Sequence, residues 1–262
     1  MKLSFDHLVH LVNQPEEAIE AFAKIGLKAF LGGRHENWGT YNALSYFGLS
    51  YIEFLGIFDN EKANKILEND LVVQAAKLLP GREGFARIAL RTNDMAAVVN
   101  SLTTRGINII GPIKGERKRE DGITLKWQML FINDGSTELP LPFIIQWGEE
   151  DEIRQKDIDA IGTNSMQLHE LVFAVNNHIE AAEKWCSIFQ LKKSDVYKNK
   201  KLKSDCIQIE LEGCNLVFAS PSGQGEMSRI LESSGEGPCL LRISNDNIVL
   251  EREIFGGRYQ FV

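Results

Sequence analysis

Residues 2–12 are dense in Leu, Val and Phe, the composition of a strand covered on both faces. Period-two geometry sets Phe5, His7, Val9 and Leu11 on one side and Asp6, Leu8, His10 and Val12 on the other. Asn13-Gln14-Pro15-Glu16-Glu17 reads as a helix start, with Pro in the first turn and acids toward the positive end of the dipole. Ala18, Ile19, Phe22 and Ile25 form the apolar stripe and Gly26 ends it. Strands over 27–31, 41–47 and 51–57 complete a β-α-β-β-β unit.

Residues 59–79 space Ile66, Leu67, Leu71, Val72, Ala75 and Leu78 for one amphipathic helix, a connector closed by Pro80-Gly81. The pattern then restarts: strand 85–92, cap signal Asn93-Asp94, helix 95–105, then strands 107–110, 124–132 and 143–147. The acidic run at 149–157 marks a boundary, as a linker or an exposed helix. A third unit follows with strand 167–175, turn Asn176-Asn177, helix 179–189, a basic hairpin tip at 198–203, and strands 206–211 and 215–219. The segment 238–262 opens like a fourth copy, Leu240-Leu241-Arg242-Ile243-Ser244-Asn245-Asp246, but is too short for a helix and three strands. Such self-similarity predicts an α+β protein of tandem βαβββ modules with a degenerate second pair. Two domains are expected: 1–150, with modules at about 1–58 and 84–148 joined by the helical connector 59–80, and 165–262 with a truncated last module.

Composition narrows the function classes. The chain has 262 residues, 44% hydrophobic and 25% charged, enough to bury a stable core. A net charge of -7 argues against a nucleic-acid partner, which needs clustered Lys and Arg. Neither a signal-peptide apolar region nor a long apolar run is evident, so no membrane association and a cytoplasmic location are expected. Cys186, Cys206, Cys214 and Cys239 lack CxxC spacing and predict reduced, mostly buried thiols. No dinucleotide or Walker motif is present.

One stretch gathers chemistry: Gly32-Gly33-Arg34-His35-Glu36-Asn37-Trp38-Gly39-Thr40-Tyr41-Asn42, followed by Tyr51-Ile52-Glu53-Phe54-Leu55-Gly56. Taken with Asp6-His7-Leu8-Val9, it resembles the glyoxalase-like branch of the vicinal oxygen chelate superfamily, of glyoxalase/bleomycin-resistance/dioxygenase fold. The resemblance covers residues 2 to about 147 and weakens beyond 150. It implies two modules enclosing a cup, with metal ligands from the first and last strands of each. Counting back six residues from each turn gives His7, Arg87, Glu170 and Cys239; a gapless match sets Ile145 opposite Glu53, and the third unit offers Val217. A guanidinium is donor-only and Ile has no donor atom, so a metal-free cup is expected over a metallated one. His7 and Glu53 are the candidate ligands should a divalent metal bind, with His35 or Gln146 as the nearby replacements.

The resemblance assigns proton movement to Glu53 and His7. Arg34, His35, Trp38, Asn42, Arg87, Arg91 and Gln146 are the candidate substrate-binding residues. Each has a plainer reading. In these readings Glu53 forms an ion pair with Arg87 or Arg34, His7 makes a core hydrogen bond, the Arg34–Asn42 stretch closes a loop, and Arg87 and Arg91 join a salt-bridge lattice with acids of the neighbouring module. His10, His169 and Glu170 are read as structural, and 114–120 as a solvated hairpin. Two functions stand open. One is a glyoxalase-like isomerase, lyase or dioxygenase-like enzyme acting on a small oxygenated or anionic molecule, with Glu53 a base whose pKa is raised by burial. The other is a non-catalytic protein that binds or sequesters a small molecule without metal. A small-molecule ligand, and a second copy of the chain in a homodimer, are the candidate partners.

Overall fold

The computed structural model describes residues 2–119, 122–133, 135, 139–245 and 250–262. The first module runs Ser4–Leu11 (β1), Pro15–Ala23 (α1), Phe30–His35 (β2), Thr40–Phe47 (β3) and Ser50–Ile57 (β4). Short helices Asn60–Ala63 (α2) and Asp70–Leu78 (α3) connect it to the second: Gly84–Arg91 (β5), Met95–Thr104 (α4), Ile109–Lys118 (β6), Thr124–Ile132 (β7) and Phe143–Trp147 (β8). These eight strands close into a barrel in the order β1-β4-β3-β2-β6-β7-β8-β5. Antiparallel β1 and β5 join the modules on one side, while a single pair, Arg34 with Lys118, bridges β2 and β6 on the other.

After Asp151–Ile161 (α5), the chain builds Gln167–Ala174 (β9), His178–Phe189 (α6), Tyr197–Asn199 (β10), Ser204–Ile209 (β11), Asn215–Pro221 (β12), Glu226–Ser234 (α7), Gly237–Ser244 (β13), Leu250–Ile254 (β14) and Gly257–Phe261 (β15). They form one seven-stranded sheet, β10-β11-β12-β9-β13-β15-β14, with β9 and β13 antiparallel as β1 and β5 are. The α+β architecture of repeated modules is thus the one the periodicity predicts.

Four local readings need correction. The single connector helix breaks in two because Asn69 caps α3, its side chain accepting from the Leu71 and Val72 amides at 3.1 and 3.3 Å. Residues 32–35 belong to strand β2 rather than a loop. The charged segment 114–118 is the end of strand β6, not a solvated hairpin, and its period-two alternation buries Gly115 and Arg117 while exposing Glu116 and Lys118; Glu120 lies outside the described residues. Helix α7 carries no strong sequence signal and was not expected. The Asn245-Asp246 turn falls partly outside the described residues.

A continuous core packs the back of the barrel against the second sheet: Phe5, Leu8, Phe22 and Phe54 meet Phe173, Trp185, Tyr259 and Phe261. His10, on the outer face of β1, is buried in this seam. Its Nε2 faces the Phe255 carbonyl at 2.9 Å and must donate, which leaves Nδ1 to accept from the Tyr259 hydroxyl at 2.6 Å. Burial holds its pKa down to about 4, so the ring is neutral and structural, as expected from its facing away from His7. Because the unfolded chain protonates first, the stability His10 contributes is complete above pH 6.5 and is lost as pH falls toward 4. Tyr259→Phe, which strips His10 of its donor, is expected to lower unfolding free energy by about 1–3 kcal/mol in a urea titration at pH 7.5. An unchanged midpoint would show that the seam does not rely on this bond.

Candidate functional site

The barrel interior opens into a cup at the His7 end. His7 on β1 and Glu53 on β4 project into it because β1 and β4 run parallel with Val9 paired to Glu53 and His7 to Tyr51. Thr40 and Asn42 enter from β3, Arg117 from β6, Trp127 and Met129 from β7, and Phe143 and Ile145 from β8. Trp38 reaches in from the β2–β3 turn and Asn69 from the cap of α3. Two glycines make the room. A Cβ at Gly32 would sit 2.0 Å from Asn42 Oδ1 and 2.7 Å from Arg117 Nη1, and one at Gly115 would meet Trp127 Nε1 at 2.4 Å. The cavity left among these side chains is about 30 Å³, room for a water or two; counting the open mouth, the cup holds about 460 Å³.

Its charge is organised by one imidazole. A register shift in the β1–β5 pairing between Phe5 and His7 makes Asp6 the extra residue of a bulge. Strict alternation is broken there, and Asp6 hydrogen-bonds His7 at 2.6 Å, Nδ1 to Oδ1. His7 Nε2 lies 3.4 Å from Glu53 Oε2. Burial opposes the charge on His7, but the Asp6 hydrogen bond and the Glu53 carboxylate more than offset it and raise its pKa to about 9. Glu53 responds in kind. Burial alone would push its carboxyl up, yet His7 and the Asn42 amide, which donates at 2.6 Å, hold it down to about 2. The expectation of a burial-raised Glu53 is therefore reversed, and its ion-pair partner is His7 rather than Arg87 or Arg34. His35, bonded to Thr40 at 2.9 Å, is pushed down to about 4 by burial and is neutral.

Two buried N–H groups lining the cup, Arg117 Nε and Asn69 Nδ2, have no hydrogen-bond partner among the described residues, and a third, His7 Nε2, has only its 3.4 Å ion-pair contact with Glu53. All are donors. Arg117 is 4% exposed, its Nη1 donates to Asn42 Oδ1 at 3.1 Å, and among the described residues no carboxylate pairs with it.

Of the sequence candidates, His7, His35, Trp38, Asn42 and Glu53 converge on the cup. The other four do not. Arg34 lies over the Phe58 ring on the outer face at 4.7 Å. Arg87 turns to the far end of the barrel, where Nε donates to the Leu141 carbonyl at 2.7 Å beside Asp70. Arg91 binds Asp6 and Asp151. Gln146 accepts from the Met95 amide and donates to the Asn93 carbonyl, bracing the start of α4. Asp6, Asn69 and Arg117 were missed. The legible signal for Arg117 was the Gly-x-Arg alternation within a charged run; for Asn69 it was an Asn immediately ahead of Asp70 and two apolar residues.

Strand pairing also corrects the register. Val9 pairs with Glu53 and Ala89 with Phe143, and the antiparallel β1–β5 pairs His7–Ala89 and Val9–Arg87 exchange under the module repeat. Glu53 therefore corresponds to Phe143, two residues before the expected Ile145. The four positions that would ligate a metal in this fold hold His7, Glu53, Arg87 and Phe143. Two can donate, and the described residues contain no cluster of three His, Cys, Asp or Glu side chains. This donor set does not fit a divalent ion.

The glyoxalase-like domain family model matches residues 5–189. The chain belongs to that family. Consistent with membership, this glyoxalase-like protein superposes on a hypothetical protein from Staphylococcus aureus with a TM-score of 0.83 at 25% identity, over 99% of each chain. It also superposes on a mutant 4-hydroxymandelate synthase from Streptomyces coelicolor with a TM-score of 0.60 at 10% identity, over 94% of this chain and 72% of that one. The latter likeness shows the fold alone. No curated protein matches the sequence. Among the described residues no helix is long and apolar enough to cross a membrane.

The paired titrations give a direct check. In an NMR titration His7 is expected to stay protonated up to about pH 9 and His35 neutral down to about pH 4. Asp6→Asn should lower the His7 value by more than about one unit, since it removes a charge-assisted bond. A His7 ring titrating near 6.5 in both proteins contradicts the arrangement.

Proposed function

We propose that the cup binds the anionic head of a small oxygenated molecule and that the His7–Glu53 pair moves a proton on it without a metal. The observation that carries this reading is the set of buried donors facing the cup, Arg117 Nε and Asn69 Nδ2 without a hydrogen-bond partner among the described residues and His7 Nε2 with only the ion-pair contact to Glu53. A buried N–H without an acceptor costs on the order of 1–3 kcal/mol, and donors gathered in one hollow call for an occupant rich in acceptors. With His7 and Arg117 both cationic, a carboxylate or enolate answers best.

Binding changes the base. An anion that takes the Nε2 hydrogen of His7 draws the imidazolium away from Glu53, and the carboxyl that His7 holds at about 2 then gains affinity for a proton. Glu53 is placed to take a proton from a carbon beside a carbonyl as His7 and Arg117 hold the charge that develops on oxygen. Return of that proton by Glu53 to the adjacent carbon of an enediolate gives an isomerase; loss of a neighbouring group gives a lyase. A second reading, binding without chemistry, is favoured by the same low Glu53 value, since a resting carboxylate at about 2 is a weak base.

Pyruvate and 2-oxobutyrate in D2O separate these. The protein is expected to bind them and to exchange deuterium at the carbon next to the carbonyl, read by proton NMR. Arg117→Met should weaken binding by about tenfold or more, while Glu53→Gln should bind and not exchange. Binding without exchange in the unaltered protein supports the non-catalytic reading, and binding unaffected by Arg117→Met removes the anion site altogether.

A further inference from the structure

We infer that the ligand is bipartite, its anionic head in the cup and a flat apolar body, of about the size of one aromatic ring, in a second compartment under α5. The inference rests on the anion-binding reading of the cup. That cup is too small for a ring at about 30 Å³, whereas an apolar cavity of about 150 Å³ is enough to hold benzene. Beside it lies a compartment of about 220 Å³, and Tyr51 and Trp147 line both.

The shared walls are held in place. The Tyr51 ring stacks on His7 with centroids 4.5 Å apart, so a chain leaving the His7 end of the cup meets an aromatic edge. Trp147 donates from Nε1 to Asp6 at 3.1 Å and carries the Arg154 guanidinium over its face at 4.2 Å. Beyond them the compartment is walled by Tyr46, Leu125, Ile158 and Ile161. Ile158 and Ile161 come from α5, the acidic segment between the two halves; Ile158 is buried on the inner face of that helix. Its charged residues Arg154 and Asp157 line the compartment too, with Arg119, Lys126 and Glu149. Apolar walls with a few charged groups around them suit a ring tethered to a charged head, not a second free anion.

Acetate and 3-phenylpropionate test the division, with affinities read by NMR titration of the full chain. The phenyl compound should bind at least about tenfold more tightly than acetate, the order expected for burying one ring. Ile161→Trp, which fills the compartment from its edge, should erase that advantage and leave acetate unchanged; Leu125→Phe, narrowing it from the opposite wall, should act in the same direction and guards against a folding defect in the first variant. Equal affinity of the two acids for the unaltered protein overturns the inference, as does an advantage that survives both fillings. If acetate itself does not bind, or binds equally to Arg117→Met, the anion cup is what fails.

Discussion

A buried imidazolium between two carboxylates organises the barrel. Charges removed from water persist in a fold only when each finds a counter-charge or a full set of hydrogen bonds. Asp6, fully buried, meets this condition through His7, Arg91, Arg154 and the Trp147 indole together. Those partners come from β1, β5, α5 and β8, so the neutrality of one carboxylate depends on the closure of the barrel and on the seating of the helix that follows it. The bulge at Asp6 is what permits this, since a regular strand would send Asp6 and His7 to opposite faces.

Neutrality also explains which groups are left over. Asp6 and Glu53 absorb the charge of His7 from both sides, and Asn42 spends its amide on Glu53 and its oxygen on Arg117. Among the described residues no acidic group remains for Arg117. Among the described residues the unmet hydrogen-bonding capacity of the cup wall lies in donors, from His7 on β1, Arg117 on β6 and Asn69 at the cap of α3, around a hollow kept open where Gly32 and Gly115 lack a Cβ. A structural network closes on itself, as the His10–Tyr259 pair in the seam does; this one stops at the cavity wall.

How far the sequence shows this depends on the kind of information each residue carries. Alternation and turn signals give the face of a strand, and they suffice for His7, Glu53 and Asn42. Depth along the barrel is not in the alternation. Arg87 shares the inner face with Ala89 and pairs with Val9, yet its long side chain is engaged by the Leu141 carbonyl and Asp70. Arg91 and Gln146 were drawn off by partners on α5 and α4, which no local pattern could foretell. Asp6 escaped because a bulge leaves no mark on hydrophobic periodicity, and Arg117 because a charged run reads as solvated unless its alternate positions are weighed one by one. The register error at Ile145 has the same root: a gapless match compares letters, whereas strand pairing fixes position.

The second half shows what the repeat becomes without these constraints. Glu170 stands where His7 stands in the first module, and it is fully engaged by Arg242 on β13, itself bonded to Gln260. The sheet face it occupies carries Val172, Ala174, Val217 and Leu240, packed against Met227 of α7, which is completely buried. A helix fills the position of the hollow. Its other face, with Leu171, Phe173, Leu216 and Leu241, belongs to the core shared with the barrel. The packing surface of the module has therefore been kept and its interior surrendered to side chains, so the second sheet works as a buttress for β1 and β5, the two strands that hold Asp6, His7 and Arg91 in register.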